Sequence, residues 1–242
     1  MTRITSNMLQ PRAVRILHWL SSKKFGGTPQ VFLDYQLALS AAGCLIEPVV
    51  RPHSHLSARL RSHHIPPRVV HYYRHKLAPI RSHALRAVRK VIATYRPTHI
   101  LVHKLQDLIL LRQATSTIPL VAVAHNYSTG YANYADALVA VSRSVAQNLQ
   151  PHATQPLFTA ENFLLSMPPS HPMLHTQPLR MGYLGQLRKT KGILELVATL
   201  SLLNKHQLPF RCLIGLEATC NPTLGRKFEP WDGLVKCALW GG

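Results

Sequence analysis

The sequence predicts an α/β protein in which parallel β-sheets are covered by helices in two domains. Short apolar runs rich in β-branched residues alternate with helical patterns, and two of these strand–helix units contain a glycine turn. A segment rich in Pro, Ser and His separates a first series of such units from a second. Strands that alternate with helices are typical of parallel sheets with both faces buried. We therefore place the first domain at 1–160, a linker at 161–178 and a second, incomplete domain at 179–242.

The first strand–helix–strand series is predicted near the N-terminus. An apolar run at Val14–Trp19 predicts a buried strand, a helix follows at Thr28–Ala42, and a second strand occupies Leu45–Val50. Pro29 suits the first helical turn, because an N–H at that position has no partner within the helix, and Gly43 ends the helix.

Three more strands of the first domain are predicted from short apolar runs, at Thr98–His103, Leu120–Ala124 and Ala137–Val141. Helical patterns follow the first and third of them, at Gln106–Thr115 and Ser142–Leu149. Because strands and helices alternate here, we expect these elements to extend the same parallel sheet.

The second series consists of a strand at Arg180–Leu184, a helix at Gly192–Asn204 and a strand at Phe210–Ile214. One more strand could occupy Leu234–Leu239, in a segment whose Pro and Gly content disfavours a helix. This domain has about 65 residues where ~100 or more are usual, so we expect it to be incomplete.

The stretch 51–96 contains eleven arginines and lysines, seven histidines and no acidic residue. Leu85, Val88 and Ile92 recur at helical spacing and predict a basic helix in its second half. Two interpretations stay open: the stretch docks an anionic acceptor, or it is a solvated positive face. Histidine pairs at i and i+4 can chelate a metal on a helix, but two prolines break the stretch and no carboxylate assists. We therefore predict no metal site.

The composition of the chain indicates the kind of partner and the location that we expect for this protein. The chain carries 28 Lys and Arg against 9 Asp and Glu, a formal net charge of +19, which favours polyanionic partners such as nucleic acid, anionic lipid or phosphorylated substrates. No apolar run reaches the ~18–20 residues of a membrane span, and the first residues lack the apolar core of a secretory signal. The four cysteines show neither C-x-x-C nor zinc-finger spacing and are interpreted as reduced thiols. We expect a cytoplasmic protein that could contact the inner face of the membrane.

The segment Arg180–Gly192 has the pattern of a phosphate site. An apolar strand runs into a glycine turn, a cluster of cations follows, and a helix begins near Ile193. Cations and free backbone N–H groups at a helix start are how proteins bind phosphate. Lys191 is the first candidate for this contact and Arg188 the second. The simpler interpretation is a solvated basic turn before a helix.

A second candidate site is predicted at the carboxyl edge of the first sheet. Gly26 and Gly27 allow close approach of the backbone to a substrate, although a plain tight turn would also need them. His125 follows an apolar strand and is expected at the sheet edge where α/β proteins bind ligands, with a structural histidine as the alternative. His103 follows another strand and is a weaker candidate. Ser142 is expected to be a helix N-cap rather than a substrate contact.

Six segments, taken in order, resemble the retaining glycosyltransferases of family four, which have the GT-B fold. They comprise a glycine loop, three strands that each end near a histidine or serine, a crossover segment and a phosphate-binding entry: F-G-G-T-P-Q-V-F-L, R-P-T-H-I-L-V-H-K, I-P-L-V-A-V-A-H-N-Y, A-D-A-L-V-A-V-S-R-S, T-A-E-N-F and G-Y-L-G-Q-L-R-K-T-K-G. The resemblance implies two Rossmann-like domains, the second of them binding a donor nucleotide.

The same resemblance implies an activity and the residues that carry it. The enzyme would transfer a hexose from a sugar nucleotide to an anionic glycan or glycolipid, as in lipopolysaccharide or cell-envelope synthesis, without a cofactor. His125 would be the catalytic residue, and the donor phosphates would be bound by the glycine loop and the later cations: Gly26, Gly27, Lys191 and Arg188.

Two departures from the family pattern leave alternatives open. Gln186 stands where the family usually has Arg, and a neutral amide does not reproduce a guanidinium. The family's two glutamates seven residues apart, which help to hold the donor, have no counterpart in this sequence. A non-catalytic remnant of the family is therefore one alternative. A nucleic-acid-binding protein is another, which the charge favours and the lack of a recognition motif disfavours.

Overall fold

The computed structural model describes the residues 13–23, 26–71, 78–165, 178–185, 189–217, 230–231 and 234–241. The chain folds into two compact units, Met1–Met167 and Pro168–Gly242. Most of the predicted linker, 166–177, lies outside the described residues, as does Arg188.

The first unit is built on one parallel sheet. Its strands, in chain order, are β1 Arg15–Leu20, β2 Leu45–Val50, β3 Arg68–Val69, β4 His99–Val102, β5 Leu120–Ala124, β6 Ala137–Ala140 and β7 Leu157–Thr159. Its helices are α1 Gly27–Ala41, α2 His55–Ser62, α3 Ala78–Tyr95, α4 Leu108–Ala114 and α5 Arg143–Leu149. The spatial order of the strands is β3-β2-β1-β4-β5-β6-β7, and every pair is parallel.

Alternation along the strands explains why helices cover both faces of this sheet. Successive side chains of a strand point to opposite faces. Leu17 and Trp19 of β1 pack in one core cluster with residues of α3, α4 and α5. Ile16 packs on the opposite face near α1, and Phe32 of α1 belongs to a further cluster that includes residues of α2. A sheet buried on both faces requires the continuous apolar strands seen in the sequence.

Helix α1 ends in the way that its sequence predicts. Gly43 adopts a positive φ of 83°, which side-chain-bearing residues rarely adopt. The N–H of Cys44 donates to the carbonyl of Leu39, and the N–H of Gly43 donates to the carbonyl of Ser40. These two bonds form a Schellman motif, which satisfies the last carbonyls of the helix and turns the chain into β2.

The predicted strands and helices of the first unit are confirmed, with ends that match or differ by one or two residues. Three elements were not predicted: α2, the two-residue β3, and β7 at the edge of the sheet. These elements are too short to show a clear period, and Phe158 in β7 is largely exposed. The basic helix expected in the stretch 51–96 is α3, with Val88 buried.

The second unit has a smaller, mixed sheet. Its elements are β8 Leu179–Leu184, helix α6 Ile193–Lys205, β9 Phe210–Glu217, β10 Pro230–Trp231 and β11 Leu234–Gly241. Strands β8 and β9 are parallel and are joined through α6, as predicted. The expectation of a parallel sheet is wrong for the later strands, because β11 pairs antiparallel with β9 and with β10. Antiparallel neighbours do not require a crossover helix, so the strand–helix alternation ends here.

None of the helices that the structure describes is both long enough and apolar enough to cross a bilayer. Of the cysteines with described side chains, Cys44 and Cys212 are both free thiols.

Candidate functional site

A cleft lies where the order of the strands reverses in the first sheet. The chain adds β2 and β3 on one side of β1 and then returns to place β4 on the other side. At such a switch point the loops after neighbouring strands separate, and α/β proteins bind ligands there. The cleft has a volume of about 370 Å³ and is lined by the loop after β1, the start of α1, and the ends of β4 and β5.

The glycine loop forms one wall of this cleft. Gly26 and Gly27 line it together with Thr28 and Pro29 at the beginning of α1. A Cβ added to either glycine would meet no atom of the described residues within 4 Å. Gly26, at the start of the helix, has no side chain that could cap it, and the first turn contains no acidic residue. The positive end of the α1 dipole is therefore available to an anion or a polar ligand.

The opposite wall contains a chain of three hydrogen-bonded histidines. His103 follows β4 and His125 follows β5, and both line the cleft. Nδ1 of His103 lies 3.0 Å from Nε2 of His125. Nε2 of His103 lies 2.8 Å from Nε2 of His18, a β1 residue. Nδ1 of His18 lies 2.8 Å from Oε1 of Gln36 on α1. This chain of hydrogen-bonded histidines thus begins in the interior of the first unit and ends at the cleft.

Aromatic contacts hold these rings in place. The ring of His18 stacks on Phe32, with centroids 3.6 Å apart and planes inclined by 7°. Tyr35 meets His103 edge-on at 5.3 Å. His18 and His103 are almost completely buried, and His125 is partly exposed at the cleft. Packing of this kind fixes the orientation of each imidazole.

Burial keeps all three histidines neutral. It lowers the pKa of His18 to about 3 and that of His125 to about 4. The pKa of His103 falls well below its ordinary value through burial first, and then through the charges that His18 and His125 would carry. At neutral pH, His125 therefore presents an uncharged imidazole to the cleft.

The structure places three of the predicted site residues around one cleft of the first unit. Gly26, Gly27 and His125 line the same cleft. Lys191 belongs to the second unit, where it is exposed at the end of a 3-10 turn, Lys189–Lys191, just before α6.

The turn before α6 depends on a glycine. Gly192, the residue before the helix, has a φ of 75°, a conformation that favours glycine, and the first turn of α6 contains the acidic residue Glu195. The prediction for Ser142 is confirmed, because its Oγ accepts a hydrogen bond of 3.2 Å from the N–H of Val145 at the start of α5.

The sequence analysis missed two members of the histidine chain. His18 is a polar residue inside an apolar strand, and Gln36 lies four residues after Phe32 on the buried face of α1. Each of these is a signal, because a buried polar group requires a hydrogen-bond partner. Their pairing could not be read from the sequence, since it depends on the packing of α1 against β1.

The histidines do not form a metal centre. Their nitrogens bond to one another in a line instead of converging on one point. Among the residues that the structure describes, no group of three His, Cys, Asp or Glu side chains is arranged to hold a metal ion.

The cations of the basic stretch are divided between two surfaces. Leu56 and Leu60 of α2 pack in the cluster with α1, whereas Val88 of α3 packs in the cluster on the other side of the sheet. The exposed Arg59 and the exposed Arg86 therefore belong to helices on opposite faces of the sheet. This division disfavours one continuous groove for a polyanion along 51–96.

Solved structures resemble this chain, whereas no protein-family model and no curated protein matches it. The match to a glycosyltransferase from Rickettsia africae has a TM-score of 0.62 at 16% sequence identity and covers 88% of this chain and 62% of that protein's chain. The match to HepE from Anabaena, solved with UDP and glucose, has a TM-score of 0.58 at 17% identity and covers 78% of this chain and 58% of HepE. The match to the lipopolysaccharide outer core galactosyltransferase WaaB has a TM-score of 0.56 at 13% identity and covers 77% of this chain and 57% of WaaB.

These likenesses establish a shared fold. UDP-N-acetylglucosamine 2-epimerases match as well, with TM-scores from 0.50 to 0.55, so the fold does not separate transfer from epimerisation. The chain spans only 57 to 64% of the length of the matched structures. The predicted class is confirmed: an α/β fold with a Rossmann-like parallel sheet, consistent with the GT-B architecture.

Proposed function

We propose that this chain is a glycosyltransferase that moves a hexose from a sugar nucleotide to a glycan or glycolipid of the lipopolysaccharide or cell-envelope type. The observation that carries the proposal is the cleft at the strand switch point. It combines an uncapped helix start, an open glycine loop and a neutral His125. A sugar offers many hydroxyl groups and no fixed charge. A neutral imidazole can hydrogen-bond these hydroxyl groups and leaves no buried charge without a partner.

The donor diphosphate is assigned to the second domain, which we place at 179–242, with the acceptor side at 1–160 and the linker at 161–178. Lys191, which lies just before α6, supports this assignment, since a cation beside the N–H groups of a helix start favours phosphate. As the glycosidic bond breaks, the leaving diphosphate gains negative charge. Groups that stabilise this charge accelerate transfer. Arg188 is the second proposed cation.

His125 is the proposed catalytic residue of the first domain. Its imidazole would hydrogen-bond the transferred sugar or orient the hydroxyl of the acceptor. The neutral state suits both tasks, because a cationic imidazole would lose its acceptor nitrogen.

The acceptor is proposed to be anionic. The net charge of +19 and the exposed cations of α2 and α3 would attract a phosphorylated glycan or glycolipid. We propose a cytoplasmic location, and the same cations would favour peripheral contact with the inner face of a membrane. The nucleic-acid alternative is weakened by the division of these cations between two faces of the sheet.

Turnover of sugar nucleotides tests this function. The protein is incubated with UDP-, GDP- and ADP-hexoses and a glycolipid extract, and release of the nucleoside diphosphate is measured. We expect release with at least one donor. His125→Ala should lower the rate by about 5- to 150-fold, since a hydrogen bond lost at a buried polar site costs ~1–3 kcal/mol. His152→Ala, at an exposed histidine, is the matched control.

The other outcomes each identify a different protein. A donor converted to its 2-epimer without transfer would indicate an epimerase, the enzyme class that several matched structures are named for. Donor binding without any turnover would indicate a non-catalytic relative. Salt-sensitive binding to duplex DNA without any effect of donor would favour the nucleic-acid alternative.

A further inference from the structure

The hydrogen bonds of the histidine chain all run in the same direction, from donor to acceptor, and the group at the buried end determines that direction. We propose that Gln36 is a positioning residue that acts through His18 and His103 to hold the proton of His125 on Nε2 and leave its Nδ1 unprotonated. The tautomer follows from the hydrogen bonds of the first unit alone. Only its consequence for substrate binding rests on the proposed function.

The orientation of the Gln36 amide is fixed by a second contact. Its Nε2 donates a hydrogen bond of 3.2 Å to the carbonyl of Ile46 in β2. Rotating the amide by half a turn would place its oxygen against that carbonyl oxygen, and two acceptors do not bond. Oε1 of Gln36 therefore faces His18. An amide oxygen can only accept, so Nδ1 of His18 must carry the proton.

The next two steps follow from neutrality. A neutral imidazole has one N–H and one lone pair. Because the proton of His18 is on Nδ1, its Nε2 accepts from the Nε2–H of His103 at 2.8 Å. The proton of His103 is thereby on Nε2, so its Nδ1 accepts from the Nε2–H of His125 at 3.0 Å. Nδ1 of His125 is left as a bare acceptor.

Reversing the donor and acceptor roles of the histidine rings would break a hydrogen bond at each step. If one ring changed its tautomer alone, two lone pairs or two N–H groups would face each other. Each such mismatch would leave two buried polar groups without a hydrogen bond. If all three rings changed together, Nδ1 of His18 would meet the oxygen of Gln36 as acceptor against acceptor. Stacking on Phe32 prevents the His18 ring from turning to avoid this contact.

The consequence for the site is a preference among ligand groups. A bare Nδ1 accepts a hydrogen bond from a hydroxyl and cannot donate one to a phosphate oxygen. His125 would thus select sugar or acceptor hydroxyl groups, and the phosphates would be left to other parts of the protein. The sequence alone could not show this, since it requires the direction of all three hydrogen bonds.

Nitrogen NMR of the whole chain, labelled with 15N-histidine, tests the tautomers directly. Long-range proton–nitrogen spectra at neutral pH distinguish the protonated from the bare nitrogen of each ring. We expect the proton on Nδ1 in His18 and on Nε2 in His103 and His125. Single histidine-to-glutamine variants assign the signals. A wild-type spectrum with the proton of His125 on Nδ1 would overturn the proposal.

Gln36→Leu tests the source of the direction. It removes the fixed acceptor, so both directions of the chain become possible and the Nδ1–H form of His125 should appear. Gln30→Leu is the control, because Gln30 is on the same helix and bonds Asp34 at 2.9 Å instead. It should keep one tautomer. A single unchanged tautomer in Gln36→Leu would show that Gln36 does not set the direction. If that variant fails to fold, the wild-type spectrum still decides the tautomer of His125.

These spectra need no donor and no turnover. If the protein shows the expected tautomers but binds no sugar nucleotide, the tautomer proposal holds and the proposed function is refuted. If the protein transfers a sugar but His125 carries its proton on Nδ1, the proposed function holds and the tautomer proposal is refuted.

Discussion

At the scale of single residues, a site residue could be predicted where its type and its neighbours in the sequence are enough to indicate its place. A glycine pair before a helix and a histidine after a buried strand are visible in the sequence, and the structure places Gly26, Gly27 and His125 around one cleft. His18 and Gln36 were missed because their meaning depends on a partner. A sequence shows that a polar group will be buried, but it does not show which group will bond it.

Gly27→Ala separates a ligand-binding glycine from a structural one. The added Cβ meets no protein atom within 4 Å, so stability should stay the same or rise by up to ~1 kcal/mol. Turnover should fall, because the methyl group occupies space left for a ligand. Urea unfolding and the nucleoside diphosphate assay measure the two effects.

The control for this change is Gly43→Ala, which also meets no atom but has a positive φ of 83°. It should lose about 1–2 kcal/mol of stability while leaving turnover unchanged. Wild-type turnover in Gly27→Ala would mean that Gly27 serves only the turn.

Lys191→Ala should weaken binding of the sugar nucleotide tenfold or more. A charge-assisted bond to phosphate contributes ~1.5–3 kcal/mol, and Lys191 is exposed, so its loss should not disturb the fold. Calorimetric titration gives the dissociation constant. Lys205→Ala, at an exposed lysine near the other end of α6, is the matched control. Equal affinity in both variants would show that Lys191 is ordinary surface.

At the scale of elements, strands were predicted well because each is a continuous apolar run bounded by turn residues. Elements α2, β3 and β7 were missed because they are short and are stabilised by their neighbours. The anchoring of the loop after β1 was also missed. Asp107, before α4, is completely buried, and Oδ1 accepts from the hydroxyl of Ser21 at 2.8 Å. Oδ2 accepts from the N–H of Ser21 and from Trp19 Nε1, both at 3.2 Å.

Asp107→Ala should therefore destabilise the first unit by about 3 kcal/mol or more, because it leaves several buried donors without their acceptor. The loop that follows β1 would lose its anchor, so binding at the cleft should weaken as well. Urea unfolding measures the first effect. Asp34→Ala removes one partly buried bond from Gln30 and should cost much less. Similar losses in the two variants would contradict the role given to Asp107.

At the scale of the whole molecule, the sequence predicts the class of fold and the alternation of elements, but not every strand direction. The parallel sheet of the first unit follows from continuous apolar strands joined by helices. The antiparallel β11 could not be predicted, because an apolar run has no direction of pairing. The separation of α2 from α3 across the sheet was equally hidden, since consecutive basic residues in a sequence can belong to different faces.

The three buried histidines predict a steep loss of stability in mild acid. Their pKa values in the folded state lie below the ordinary value near 6.5, at about 3 for His18 and about 4 for His125, and also lower for His103. Below that ordinary value, the unfolded chain binds protons that the folded chain excludes. Stability is therefore full above it and falls as the pH falls, by up to ~4 kcal/mol per pH unit for three groups.

Urea midpoints between about pH 7 and pH 5 measure this slope, in a range where carboxylates have not yet titrated. His125→Ala should reduce the slope by about a third. A flat profile in the wild type would mean that the histidine chain is not buried and neutral.

The central claim is that this chain recognises a sugar nucleotide, and thermal unfolding in the presence of donors tests it most directly. The wild-type protein is heated with UDP-, GDP- and ADP-hexoses at millimolar concentration. We expect at least one donor to raise the unfolding temperature, since a ligand at 100 times its dissociation constant stabilises by ~2.7 kcal/mol. The shift should shrink in Lys191→Ala and persist in Lys205→Ala. An unfolding temperature unchanged by every donor would contradict the claim.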